Sequence, residues 1–230
     1  MVVQSNNASE SKNNKNWHEE DTPWKAEKIF HILQKNEIKP NSVCEIGCGA
    51  GGVLFHLSKY FDENVIFSGY ETTNEGYEIC KTKVQHNIKY YNNDLLKEDK
   101  YFDLVMAINV FTRVRDYLGF LINLKQKGKY KVFHIPLQVT LYTVLRSRYF
   151  QNKDYIQSHL HHFNKDTALG TLKGTGYKII DWFYTADSLE LPHHGRKENL
   201  WKLPKKILYA INQDFTVKTL GGFSLMVLAE

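Results

Sequence analysis

At 230 residues the chain can support one substantial core, which argues for a single domain with embellishments rather than two domains. A hydrophobic fraction of 42% and a charged fraction of 24% are those of an ordinary soluble globular protein. The formal net charge of +5 comes from Lys scattered through an Asn- and Lys-rich background, which suits phosphorylated substrates or acidic membrane surfaces without demanding either. Cys44, Cys48 and Cys80 form no C-x-x-C pair, and an odd count without a disulfide framework suits a reducing compartment. The N-terminus shows no signal-peptide core and no apolar run is long enough to span a bilayer, so a cytoplasmic location is expected.

Residues 1–22 read as a polar tail rich in Asn, Ser, Lys and Glu, with too little apolar surface to offset its ordering entropy. The folded domain is expected over 23–230. Asp21-Thr22-Pro23 supplies helix-start residues, and Trp24, Ile29, Ile32 and Leu33 follow at amphipathic spacing, predicting a helix over 23–36. A strand over 42–46 then runs into Gly47-Cys48-Gly49-Ala50-Gly51-Gly52, after which Val53, Leu54 and Leu57 fall at helical spacing. This strand, tight turn and helix (51–61) would let a ligand lie against bare backbone N–H groups. Two patterns fit the turn: G-x-G-x-x-G through Gly47, Gly49 and Gly52, and E-x-G-x-G-x-G through Glu45, Gly47, Gly49 and Gly51. A buried carboxylate at the strand's end would repel a pyrophosphate and suit a ligand carrying an ammonium and a sulfonium, so Glu45 favours the second.

Further strands are expected at 65–70, 88–91, 104–108, 130–135 and 177–185, with a closing strand within 221–229. Helices are expected at about 74–84, 115–124, 164–172 with Asn164 as N-cap, and 204–212. The long stretch 136–162 reads as a cap over the substrate side, containing a short helix around Leu141, Tyr142, Val144 and Leu145. Alternating strands and helices argue for an α/β, Rossmann-like, mostly parallel sheet covered by helices on both faces. Ligands in such sheets bind beyond the carboxyl ends of the strands, where Gly47, Glu71, Asp94 and Asn109 fall.

With Glu45 and the glycine turn, Glu71 about 20 residues beyond it, Asn93-Asp94 after the third strand and Asn109 after the fourth, the chain resembles the class I S-adenosylmethionine-dependent methyltransferases over about 24–230. The resemblance implies a seven-stranded sheet with an antiparallel last strand and S-adenosylmethionine as cofactor. It also implies a cofactor-binding set of Glu45, Gly47, Cys48, Gly49, Gly51, Glu71, Thr72, Asn93, Asp94, Leu95 and Asn109, with Glu71 at the ribose hydroxyls and Asp94 at the adenine amino group. The segments Phe133–Leu137, Trp182–Ala186 and Gly221–Ser224 resemble methyltransferases of bacterial surface-polysaccharide pathways. That implies O-methylation of a sugar or glycan precursor, with N- or O-methylation of another small metabolite, or a non-catalytic cofactor-binding module, as alternatives.

A hydroxyl acceptor must lose a proton, and His is the natural base near neutral pH. His134 at a strand's carboxyl end, and His159 and His162 before the following helix, are the candidates, with a core histidine as the other reading of His134. His159-x-His161-His162 lacks a carboxylate pair to complete a metal site, and no metal is assigned. Many relatives carry Glu-His after the Phe that follows the fourth strand, where this chain has Thr112-Arg113, so Arg113 is either a clamp for a phosphate or carboxylate or a solvated helix-start residue. Tyr142, Tyr149, Phe150 and Tyr155 concentrate aromatics in the cap, and Leu141–Arg148 is amphipathic and basic enough for weak membrane-surface contact. No Asn-Pro-Pro-Tyr-like tetrapeptide offers a flipped base a seat, so nucleic acid is not the expected partner. Oligomeric state is left open.

Overall fold

The computed structural model describes residues 19–146, 160–191 and 196–230, the side chains of 196–201 excepted. Seven strands form one sheet: β1 (Ser42–Ile46), β2 (Ile66–Tyr70), β3 (Ile88–Tyr91), β4 (Phe102–Ile108), β5 (Gly128–Leu137), β6 (Ile179–Thr185) and β7 (Phe223–Ala229), in the order β3-β2-β1-β4-β5-β7-β6. All neighbours are parallel except β7, which runs antiparallel to both β5 and β6. The chain steps outward from β1 to β3, then returns to place β4 on the other side of β1. That reversal opens a crevice at the carboxyl ends of β1 and β4.

Nine helices are described: α1 (Thr22–Lys35), α2 (Gly52–Ser58), α3 (Asn74–Cys80), α4 (Tyr117–Lys125), α5 (Leu141–Leu145), α6 (Lys165–Gly174), α7 (Asp187–Glu190), α8 (Arg196–Ile211) and α9 (Gln213–Thr219). Strand side chains alternate between two buried layers. Leu104 and Met106 face Ala26, Ile29 and Leu54 of α1 and α2, whereas Val105 and Ala107 face Phe120, Leu124 and Leu172 of α4 and α6. Burial on both faces explains why the strands read as continuous apolar runs. The starts of β1 and β4 are locked together: Asp103 Oδ2 accepts from the Asn41 and Ser42 N–H groups (2.8 and 3.1 Å), and Ser42 Oγ accepts from the Asp103 N–H (2.9 Å).

Several boundaries differ from the sequence expectation. The helix expected over 74–84 ends at Cys80 and tightens into a 3-10 turn, Lys81–Lys83. β5 runs on through Pro136 and Leu137, because β7 extends far enough to pair Leu137 with Phe223. Within the expected cap, α5 is held by a capping box of Thr140 and Thr143, while His159, Tyr149, Phe150 and Tyr155 lie outside the described residues. The helix expected from Pro204 begins at Arg196 instead and runs through the proline, whose missing N–H removes one backbone hydrogen bond and whose ring crowds the preceding turn. α7 and α9 were not expected at all.

Gly69 in β2 is a packing necessity. A Cβ there would meet the Tyr90 ring at 2.5 Å and Cys48 Sγ at 2.9 Å, and the Tyr90 hydroxyl donates to the Gly51 carbonyl at 2.9 Å. Gly69→Ala should therefore lower stability by about 1–3 kcal/mol through overpacking, and Tyr90→Phe by about 1 kcal/mol through the lost hydrogen bond. Urea midpoints at unchanged m-value are the check.

Candidate active site

The glycine turn is shaped by the end of β2. The Gly47 and Cys48 N–H groups both donate to the Tyr70 carbonyl (2.8 and 3.1 Å), Gly49 N–H donates to Glu71 Oε2 (2.9 Å), and Gly51 N–H donates to the Cys48 carbonyl (2.8 Å). Gly47, Gly49 and Gly51 all have positive φ, at 66°, 52° and 76°, where L side chains are strained. This corrects the expectation of bare N–H groups awaiting a ligand, since these four are spent on the turn itself. What the turn offers is close approach. Gly47 is exposed, and a Cβ on it would press against Val110.

Glu71 is buried, and its other oxygen accepts from the Thr73 N–H at 2.7 Å. Each carboxylate oxygen keeps acceptor capacity for a further donor. Beside it a cleft is lined by Gly47, Tyr70, Thr72, Asn93 and Asp94 over an apolar floor of Ile46, Leu96, Val110, Val114 and Phe120. Asp94 Oδ1 accepts from the Leu96 N–H (3.0 Å), and Asn93 Oδ1 from the Asp94 N–H (2.8 Å). Leu95 turns its side chain wholly into the core, and Leu96 is the one at the cleft. Cys48 also packs inward, against Gly69 and toward Cys80. A wider hollow lined by Lys173, Tyr177 and Trp182 lies at the amino end of β6, away from the strand ends that form the crevice.

On the other side of the crevice stand Glu45, Asn109, His134 and Thr185, at or near the ends of β1, β4, β5 and β6. Glu45 is buried and its Oε2 has no hydrogen-bond partner. Burial raises its pKa to about 8, against the opposing charge of Lys25. Asn109 holds a left-handed backbone at φ 58°, an outlier of the kind that clusters at functional sites. Its Oδ1 accepts from His134 Nδ1 (2.8 Å), and the remaining ring nitrogen, Nε2, accepts from the Thr185 hydroxyl (2.9 Å). Burial, then the Lys25 charge, drive the His134 pKa down to about 3. The ring is neutral with both nitrogens engaged, which leaves it no lone pair for a substrate proton.

His162 is half-buried, with Nδ1 bonded to Gln138 Oε1 at 2.9 Å, and burial and His161 lower its pKa. Leu160 and His161 N–H groups donate to the Thr112 carbonyl, both at 3.0 Å, so this segment is pinned to the exit of β4. Among the described residues no cluster of three or more His, Cys, Asp or Glu side chains is placed to hold a metal ion.

Residues 17–181 match the family described as methyltransferase domain. The chain belongs to that family. This methyltransferase shares its fold with the plantazolicin methyltransferase BpumL bound to SAH (16% identity, 95% of this chain and 87% of that one, TM-score 0.61). It is similar to magnesium protoporphyrin IX methyltransferase of Synechocystis PCC 6803 bound to SAH (12%, 94% and 84%, 0.60). It also matches a chain of the complex between the Haloferax volcanii Trm112 methyltransferase activator and the putative methyltransferase (12%, 95% and 94%, 0.66). No curated protein sequence matches it. The enzyme is a methyltransferase, its fold is shared with a methyltransferase solved with bound SAM, and Glu45 beside the crevice keeps one buried oxygen without a partner.

Sequence reading missed part of this methyltransferase's crevice. Lys25 is buried on α1, ion-paired to Asp21 at 2.7 Å, and its charge reaches Glu45, His134 and Asp187. A signal existed, since Lys25 shares the helical spacing of Ala26, Ile29, Ile32 and Leu33. Trp24 stands edge-on to His134 at 6.3 Å. Asp187 begins α7 two residues past Thr185, and its Oδ1 is buried without a partner. Burial raises its pKa to about 6.

Because Glu45 titrates near 8 folded and near 4.5 unfolded, the folded state holds the extra proton between those values. The unfolded state binds fewer protons there, so this group makes stability fall as pH rises from about 4.5 to about 8. Glu45→Gln removes that titration. Without cofactor, its stability relative to the parent should rise across this window and level off above it, measured by urea unfolding at each pH. A difference independent of pH would place Glu45 in solvent.

Proposed function

We propose that the enzyme O-methylates a sugar or glycan precursor, working in the cytoplasm on a free, nucleotide-linked or lipid-linked acceptor. The observation that carries this reading is a pair of carboxyl groups at the strand ends, Glu45 and Asp187, each with a buried, unpartnered oxygen and each within reach of the Lys25 charge. One suits the cofactor's cationic end, and the other suits a hydroxyl. The likeness of Phe133–Leu137 and Trp182–Ala186 to polysaccharide-pathway methyltransferases supports the same acceptor class.

When bound, S-adenosylmethionine supplies a methyl group from a sulfonium, which carries the hard chemistry. The chain's residues position, exclude water and move a proton. Glu71 would hold the ribose hydroxyls, with Gly47, Gly49, Gly51 and Thr72 framing that side. Asn93, Asp94 and the Leu95 backbone would hold the adenine over the Val110 and Phe120 floor. Glu45 would face the ammonium group.

The base role expected of His134 passes, in this reading, to Asp187 Oδ1. A carboxyl near 6 is mostly ionised at neutral pH and strong enough to accept a hydroxyl proton as the new C–O bond forms. His134 becomes a positioning residue, holding Asn109 and Thr185 from opposite ring nitrogens. His162, next to Phe163, remains an acceptor-side candidate, and His159 remains one on its sequence position alone.

Glu71→Ala should weaken binding of S-adenosylmethionine at least tenfold in calorimetry, since a hydrogen bond to a charged acceptor contributes roughly 1.5–3 kcal/mol. Preference of the parent protein for NAD would overturn the cofactor placement. Asp187→Asn should lower turnover by about 10²–10⁴-fold at saturating cofactor and acceptor, with cofactor affinity nearly unchanged and the ionisation near pH 6 gone from the rate profile. The acceptor itself is identified by incubating the enzyme with methyl-labelled cofactor and fractionated cell extract. Label recovered as a methyl ether of a sugar supports the reading, and label recovered only on other metabolites sinks it.

A further inference from the structure

Helix α8 is inside out. Two of its lysines turn toward the protein: Lys205 Nζ donates to Ser188 Oγ (2.6 Å) and to the Gly221 carbonyl, and Lys202 Nζ donates to the Leu191 carbonyl (3.1 Å). Tyr209 stacks on Phe223 on the same inner side. The aliphatic residues turn away. Leu203, Ile207 and Ile211 recur every four positions and are 67%, 53% and 77% exposed. At 100° per residue they form one stripe. Phe215 of α9 continues the interval and is 58% exposed.

The stripe does not stand alone. α9 packs beside α5, whose outer side presents Leu141, Val144 and Leu145 to solvent. Scattered exposed aliphatics need no explanation, but contiguous ones mark an interaction surface. The inward hydrogen bonds of Lys202 and Lys205 fix the helix in this orientation.

We propose that the α8–α9 ridge, with α5, docks the enzyme on the surface of an anionic lipid bilayer. Charge selects this occupant. Every charged side chain described on α8 is basic, Lys202 and Lys205 on its inner side and Lys206 on its outer side. Lys206 is exposed on the flank of the stripe, and Arg146 is exposed at the end of α5. A basic flank beside an apolar face matches the headgroup and acyl boundary of an acidic membrane. A symmetric second copy would instead set the same basic flanks against each other.

The ridge adjoins the ligand end of the sheet. β7 starts at Phe223, opposite the carboxyl end of β5, and α5 follows that end directly. Docking therefore brings the methyl-transfer end to the bilayer, and a lipid-linked acceptor is the source that such placement serves. The docking rests on the ridge alone. Only the lipid-linked acceptor rests on the proposed glycan activity.

The test uses the full-length protein with vesicles of phosphatidylcholine alone or mixed with phosphatidylglycerol. Flotation should show binding to the anionic vesicles, weakened by salt and by Lys206→Glu. Ile207→Glu with Ile211→Glu should reduce it at least tenfold while leaving cofactor affinity unchanged in calorimetry, because both side chains are more than half exposed. Failure of the parent protein to bind anionic vesicles would overturn the proposal, as would undiminished binding by the double variant. A parent dimer in light scattering that the double variant converts to monomer would assign the ridge to a second copy. Methyl transfer to a soluble acceptor would survive each of these results, so failure of docking is distinguishable from failure of the activity.

Discussion

The last peptide of β2 organises the glycine-turn side of the crevice. The Tyr70 carbonyl takes two N–H groups of the glycine turn, and the next side chain, Glu71, takes a third, so turn and strand end form one hydrogen-bonded unit. Three positive-φ glycines let the backbone follow that path. Tyr90, from β3, fills the space left by Gly51 and Gly69 and bonds the turn from below. The crevice is therefore preorganised by backbone contacts across β1, β2 and β3. A ligand meets a turn with four of its N–H groups already satisfied, which suits close packing of a nucleoside better than capture of a phosphate.

On the other side the controlling term is desolvation. Glu45 and Asp187 are pushed up and His134 down by burial, which in each case disfavours the charged form. Lys25 opposes the shift at the two carboxyl groups and reinforces it at the histidine. One buried ammonium thus pulls both carboxyl groups toward ionisation while keeping the imidazole neutral. A cationic ligand entering beside Glu45 adds to the same effect, whereas an anionic one would hold the Glu45 proton more firmly in place.

Much of the fold was legible in the sequence because the strands are buried on both faces and the helices are amphipathic. β1 and β3 fall at the expected residues, and Asn164 caps α6 as its spacing implied. The glycine turn, Glu71 and Asp94 were visible from residue type and order. The residues whose surroundings were not legible share a different cause, since their environments are assembled from distant segments. The sequence left His134 open between a base and a core histidine, and only the partners supplied by Asn109 after β4 and Thr185 of β6 show both ring nitrogens engaged. Asp187 was passed over because its burial depends on packing between β6, α1 and α8. Pro204 was read as a helix start, which hid the earlier turns of α8.

That hidden helix links the two sides of the molecule. Lys205 lies at the centre of α8, yet its amine reaches Ser188 and the Gly221 carbonyl at the start of the closing strand. Its charge also pulls the Asp187 pKa down against burial. The same lysine therefore holds the outward apolar stripe in place and favours ionisation of Asp187. A helix turned the conventional way would bury Leu203, Ile207 and Ile211 and carry Lys205 off to solvent. Asp187 would then lose the nearest cation supplied by its own end of the chain, and burial would drive its pKa higher still. Orientation of the ridge and ionisation of Asp187 are two consequences of one half-buried amine.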